Sequence, residues 1–143
     1  MPLSRLGILT VLVCLPLNLS GESSSAPKLE IDQDYVLALG TANRFLCAWQ
    51  SRDTRAGMKL LSASLKAKRS EREWNQYVSG ISNPHHEGFE ITSGKRLGND
   101  RIAFEVRLYE HYTDERWQKL RPAPSKIILT KVGPESWLID EVP

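Results

Sequence analysis

The repeat length of the hydrophobic pattern changes once along this 143-residue chain, and this change constrains the fold more than any other feature. From residue 35 to residue 81, apolar side chains recur every three or four positions, which is typical of helices with one buried face. From residue 89 they alternate with polar side chains, which is typical of half-buried strands. Helices first and strands second predict an α+β domain, in which the helices cover one face of a curved antiparallel sheet.

Three N-terminal helices are predicted, each from a capping residue followed by an apolar stripe. Asp32 or Asp34 caps the first helix, Asp53 caps the second, and Ser70 with Glu73 forms a capping box at the third. Each helix is therefore expected to bury one face. The stripes, in chain order, are Tyr35, Ala38, Leu39, Ala42, Phe45, Leu46 and Trp49; Met58, Leu61 and Leu65; and Trp74, Tyr77, Val78 and Ile81.

About four strands are predicted after the helices. The first alternates around Phe89 and Ile91, and the others cover residues 102–109, 126–132 and 136–142. Residues 98–100 (Gly-Asn-Asp) and 133–135 (Gly-Pro-Glu) are turn sequences, because glycine and asparagine tolerate a positive φ. The sheet is therefore expected to be built from hairpins.

The first 26 residues are predicted to be a signal peptide and linker, so a single domain is expected over residues 27–143. Arg5 precedes an apolar run at residues 6–19, and small or polar residues follow at 20–26. The run is shorter than the ~20 residues of a membrane-spanning helix, and Pro16 interrupts it. Cys14 could anchor a lipoprotein, but the bulky Val13 before it disfavours that alternative. The mature chain is expected to be exported, periplasmic or secreted, with no transmembrane anchor.

Charge and cysteine content exclude several classes of function. The net charge of +2 gives no electrostatic case for nucleic-acid binding, and the basic run at residues 66–72 lacks interleaved aromatic side chains. Cys47 alone remains after the leader, so no internal disulfide is expected. No Cys, His, Asp or Glu cluster has metal-ligand spacing, and neither a metal nor a cofactor is expected.

The chain resembles the nuclear-transport-factor-two-like superfamily, which has a cystatin-like α+β cone, and in particular its small exported bacterial members of unassigned function. The resemblance rests on the opening helix around residues 42–49, on the Asp53 segment, on the helix with Trp74 and Tyr77, and on the last two strands. It implies a curved sheet around one helix and a conical pocket, here lined by Trp49, Trp74, Tyr77 and Phe104. It also implies that the open sheet face often forms a homodimer.

Members of this superfamily that are enzymes place an acid–base pair in the cone. The candidates in this chain are Asp140, His85, His86 and Tyr77. Since a buried carboxyl has a raised pKa, Asp140 could act as a base if it lies on the interior face of the last strand. A shift of one residue in the pairing of this strand decides which face Asp140 is on, because side chains alternate between the two faces. In the other register Trp137 and Ile139 are inside. The two histidines follow Pro84 in a predicted helix-to-strand connection, where at most one can face a pocket.

The expected function is an exported module that binds a small apolar ligand or a partner without catalysis. It is expected to be a homodimer through a sheet face that carries Glu105, Arg107 and Tyr109. The alternative is a cofactor-free isomerase, cyclase or dehydratase acting on a small apolar molecule in the cone. A third interpretation is a structural accessory domain, which a cone filled by Trp49 and its aromatic neighbours favours.

Overall fold

Helices precede strands along the whole described part of the chain. The computed structural model describes residues 30–79, 85–111 and 123–143, which form four helices and four strands. In chain order the elements are α1 (Gln33–Ser51), α2 (Thr54–Lys59), α3 (Ala63–Lys66), α4 (Glu71–Ser79), β1 (His85–Arg96), β2 (Arg101–His111), β3 (Ala123–Gly133) and β4 (Ser136–Glu141). The α+β class and the antiparallel sheet are confirmed.

Local capping chemistry fixes where the helices begin. The Asp32 carboxylate accepts a hydrogen bond from the Tyr35 amide at 3.1 Å, and Asp53 accepts one from the Ala56 amide at 2.9 Å. Before α4, the Ser70 amide donates to Glu73 at 2.7 Å while the Glu73 amide donates to the Ser70 hydroxyl at 3.3 Å. The predicted caps and the capping box are confirmed.

The predicted second helix is in fact two short helices, so the prediction of three helices is wrong for the described residues. α2 ends at Lys59 and α3 begins at Ala63, with Ser62 as its N-cap. Between them Leu61 forms a parallel bridge with Ile139, in which the Ile139 amide donates to the Leu60 carbonyl at 2.8 Å. The predicted helix is interrupted here because its backbone groups pair with β4. This pairing covers part of the sheet edge that β4 forms.

The sheet is an antiparallel meander in the order β1-β2-β3-β4. Its inner face packs against α1, which contacts all four strands. The buried apolar cluster consists of Ala38, Ala42, Phe45, Leu46, Trp49, Leu61, Leu65, Trp74, Val78, Ile102, Phe104, Val106, Leu108, Ile127, Leu129, Trp137 and Ile139. The alternating pattern of the strands therefore marks the core-facing side correctly.

Polar contacts fix both ends of α1 to the sheet. At its start Arg96 donates two hydrogen bonds to Asp32, and the Lys131 ammonium donates to Asp34 at 2.7 Å. The Arg96 guanidinium lowers the pKa of Asp32. At its end the Gln50 amide donates to the Glu87 carbonyl at 2.8 Å. The helix is thus held in one position across the sheet.

The structure extends two predicted strands and leaves several predictions outside its described residues. His85 and His86 are the first residues of β1 rather than part of a connection, because they pair with the end of β2 around a bulge at residues 86–88. β3 begins at Ala123 instead of residue 126. The signal peptide, Ile81 and most of the connection before β3 lie outside the described residues. None of the helices described here is long and apolar enough to cross a membrane.

Candidate functional site

Asp140 lies on the outer face of β4, since Trp137 and Ile139 are buried on the inner face. Its carboxylate accepts hydrogen bonds from the Ser64 hydroxyl at 2.6 Å and the Ser62 hydroxyl at 2.9 Å, and Arg101 lies 3.6 Å away. The two serine hydroxyls lower the pKa of Asp140. A carboxylate with a lowered pKa is a weaker base. Asp140 therefore ties α3 to β4 and is poorly suited to proton abstraction.

Replacing Asp140 by asparagine should lower the free energy of unfolding by about 1 kcal/mol at pH 7, because two hydrogen bonds to an ionised group weaken. A carboxyl group whose pKa is lower in the folded than in the unfolded protein stabilises the fold at pH values above its unfolded-state pKa. This stabilisation is lost as the pH falls through the folded-state pKa. Urea unfolding at pH 7 and at about pH 2.5 should show the difference between the two proteins shrinking in acid. Glu135→Gln in the exposed β3–β4 turn is the control. An equal difference at both pH values would contradict this role.

His86 is the buried member of the histidine pair, with a side chain that is only 2% exposed. Its ring stacks on Trp49 with centroids 3.9 Å apart, and its Nδ1 lies 2.7 Å from the Trp49 carbonyl oxygen. Because a carbonyl only accepts, Nδ1 is the donor, and Nε2 is left facing Glu110 at 3.8 Å. One nitrogen and one ring face are thus occupied, and the arrangement anchors β1 to the end of α1.

His85 and Tyr77 contact other residues than Asp140 does. His85 stacks on His111 with centroids 4.7 Å apart, and His111 Nδ1 is 2.8 Å from a Glu87 carboxylate oxygen. The Tyr77 hydroxyl donates to the Pro143 carbonyl at 2.8 Å. Burial raises the pKa of Tyr77, so its hydroxyl stays protonated at neutral pH. The structure does not bring the four predicted catalytic candidates together in one site.

Three of the four side chains predicted to line a conical pocket are core residues. Trp49, Trp74 and Phe104 are each at most 2% exposed. Trp74 also donates its indole N–H to the Lys66 carbonyl at 3.1 Å and meets the half-buried Tyr77 edge to face. Large aromatic side chains occupy the space between the helices and the sheet. A filled interior is what the accessory-domain and partner-binding interpretations require, whereas a ligand needs a different site.

An open groove of about 540 Å³ lies outside this core, along α2 and the start of α4. It is lined by Thr54, Arg55, Met58, Lys59, Lys66, Glu71 and Asn75. We call it the α2–α4 groove. Its volume is in the range of small-molecule sites, about 300–1,000 Å³.

Helix geometry explains why these residues share one groove. Thr54 and Met58, like Arg55 and Lys59, are four positions apart, so each pair lies on one side of α2. Gly57 lies on the buried side of α2, where an added Cβ would be 3.0 Å from a methyl group of Val78. α2 therefore packs closely on α4 through this glycine, and four of its other side chains border the groove.

Sequence reasoning missed this site. Met58 is predicted only as part of an apolar stripe, and Lys66 only as part of a solvated basic run. Within that run Arg69 instead lies over the rings of Trp74 and Tyr77, at 5.0 and 5.2 Å from their centroids. The four-residue spacing on α2 was a usable signal, but the position of α4 beside it depends on tertiary packing.

No family model and no curated protein sequence matches this chain. Two SEC-C motif containing proteins of known structure resemble it. The protein from Rhodopseudomonas palustris has a TM-score of 0.52 and 7% identity over 66% of this chain and 68% of its own. The protein from Psychrobacter arcticus has a TM-score of 0.53 and 12% identity over 77% of this chain and 59% of its own.

A cystatin-fold protein from Novosphingobium aromaticivorans gives a TM-score of 0.44 at 11% identity, over 74% of this chain and 97% of its own. That score is too low to carry a fold assignment. The two SEC-C motif containing proteins show that this α+β backbone arrangement occurs elsewhere. Identities of 7% and 12% transfer no activity, because one fold hosts many functions.

Groups of three or more His, Cys, Asp or Glu side chains placed to hold a metal ion do not occur in the described ranges. The α2–α4 groove is a candidate site for an organic ligand among the described residues. It combines cationic groups, two neutral polar side chains (Thr54 and Asn75) and a flexible thioether.

Proposed function

We propose that this protein is a non-enzymatic module that binds a small organic ligand in the α2–α4 groove. The observation that carries the proposal is the contrast between two regions. Trp49, Trp74 and Phe104, which were predicted to line a pocket, are buried in the core, whereas about 540 Å³ is open beside Met58. A site that is open before the ligand arrives requires little rearrangement of the protein.

The same proposal includes export and a conical, nuclear-transport-factor-two-like form. The basic residue and apolar run of the leader support export. A long α1 packed across a four-stranded antiparallel sheet supports the cone. For a homodimer through the sheet, the support is an outer face on which Glu105 and Arg107 are exposed and Tyr109 is half-buried.

The alternative, a cofactor-free isomerase, cyclase or dehydratase, has less support. Asp140 is on the outer sheet face with a lowered pKa. His86 donates Nδ1 to a backbone carbonyl and stacks on Trp49, and Tyr77 donates its hydroxyl to another carbonyl. These candidates make structural contacts, and none of the three borders the α2–α4 groove.

Filling the groove should abolish binding. The probes are three n-octyl compounds, namely octanoate, octanol and octylamine, each added to the purified protein. We expect at least one of them to shift the backbone amide resonances of α2 and Asn75 until the shifts saturate. Met58→Trp places an indole in the groove and should remove those shifts, whereas Met58→Leu should keep them because leucine has nearly the same volume. Two-dimensional ¹H–¹⁵N NMR measures both. If all three compounds leave these resonances unmoved, the groove is not a ligand site.

A further inference from the structure

The α2–α4 groove brings together three cationic side chains without ion-pair partners. Arg55, Lys59 and Lys66 all line it, and none pairs with a carboxylate of the described residues. In the sheet, by contrast, basic side chains such as Arg107 and Lys131 each pair with a carboxylate. Three unpaired like charges around one depression repel one another, and an anion placed between them relieves that repulsion.

The other residues that line the groove indicate the chemistry of the rest of the ligand. Met58 is half-buried against the core and presents its thioether to the groove. Lys59 and Lys66 are exposed, and the methylene stem of a lysine can lie along apolar surface while its ammonium group stays in water. None of the seven lining residues is aromatic, so stacked bases or rings have no platform. The surface beneath the charges therefore suits a flexible aliphatic chain.

The one acid in the groove limits the charge of the ligand. Glu71 lines the same depression as the three cations, so the lining carries three positive charges and one negative charge. A carboxylate near the head of the ligand opposes each extra negative charge placed there. The lining still keeps a net charge of +2, which favours an anionic head over a neutral or a cationic one.

Building on the proposed function, we propose that the ligand is an anion with a short aliphatic chain, such as a medium-chain carboxylate. Its head lies between Arg55, Lys59 and Lys66, and its chain lies along Met58. Thr54 and Asn75 offer neutral hydrogen-bonding groups beside the head. The cations supply selectivity for the head, while Met58 supplies contact area for the chain.

The test compares three probes that share one chain and differ in the charge of the head. Octanoate should bind at least about fivefold more tightly than octanol, because its carboxylate can pair with Arg55, Lys59 and Lys66, all of which are exposed. Octylamine should give no saturable shift. The ¹H–¹⁵N resonances of α2 and Asn75 in the purified protein report each dissociation constant.

Variants that reverse one charge test whether the preference for octanoate comes from the cations of the groove. Lys59→Glu should weaken octanoate binding about fivefold and leave octanol binding unchanged, since exposed charge pairs contribute up to ~1 kcal/mol each. Lys59→Gln should give a smaller loss and keeps the helix propensity of α2. Lys95→Glu on exposed β1 makes the same change in net charge away from the groove and should have no effect.

Two results overturn the inference while leaving the groove as a ligand site. Octanol binding as tightly as octanoate means that the cations do not select the head. Equal weakening by Lys59→Glu and Lys95→Glu means that only the overall charge matters. If all three n-octyl probes fail to shift the groove resonances, the proposed function itself fails, which is a distinguishable outcome.

Discussion

Replacing Gly94 by alanine should lower the free energy of unfolding by about 3 kcal/mol, the upper end of what overpacking a core typically costs. Gly94 lies in β1 opposite Phe104 of β2. A Cβ added there would be 2.6 Å from a ring carbon of Phe104, and it would also contact the Tyr35 hydroxyl. Phe104 is fully buried and meets the Tyr35 ring edge to face at 5.3 Å, so neither ring can move freely. Urea unfolding of both proteins measures the loss.

Gly88 provides a matched control in the same strand. Apart from its two chain neighbours, the described part of the protein places no atom within 4 Å of the position that its added Cβ would occupy. Gly88→Ala should therefore be neutral or slightly stabilising, since alanine restricts the unfolded chain more than glycine does. Equal losses for the two variants would show that strand propensity, and not the contact with Phe104, determines the effect at Gly94.

Local sequence signals predicted the ends of several elements correctly. The caps at Asp53 and Ser70 succeed because a capping hydrogen bond spans three residues and needs no tertiary partner. The alternation of β2 succeeds because one face of that strand meets the core throughout. Leu61 was misassigned to a helix, because its pairing with Ile139 joins residues far apart in sequence and leaves no local pattern.

The candidate site was less predictable than the fold. The outer position of Asp140 depends on the register of β4, and either parity is compatible with the alternation in its sequence. The groove depends on the close packing of α2 on α4 at Gly57, which brings Lys59 and Asn75 to the same depression. Neither the register nor this packing is encoded in the local periodicity of the segments concerned.

Trp74→Ala should destabilise the protein by about 3–5 kcal/mol, the range observed when a buried aromatic side chain is truncated in a core. Trp74 is 1% exposed and belongs to the central apolar cluster. Its indole N–H donates to the Lys66 carbonyl, and Arg69 lies 5.0 Å above the ring. The substitution removes the packing contacts and the hydrogen bond together. Chemical unfolding monitored by far-ultraviolet circular dichroism gives the difference.

Two further substitutions separate a filled interior from an interior ligand site. Trp74→Phe keeps most of the buried area but leaves the Lys66 carbonyl without its indole donor, so we expect a loss of about 1–2 kcal/mol. Met58→Leu in the open groove should change stability by less than about 1.5 kcal/mol. A loss below 1 kcal/mol for Trp74→Ala would mean that the indole packs against empty space and that the interior already holds a pocket. A large loss there, with Met58→Leu tolerated, shows that Trp74 packs in the core and that the Met58 position at the groove is less tightly packed.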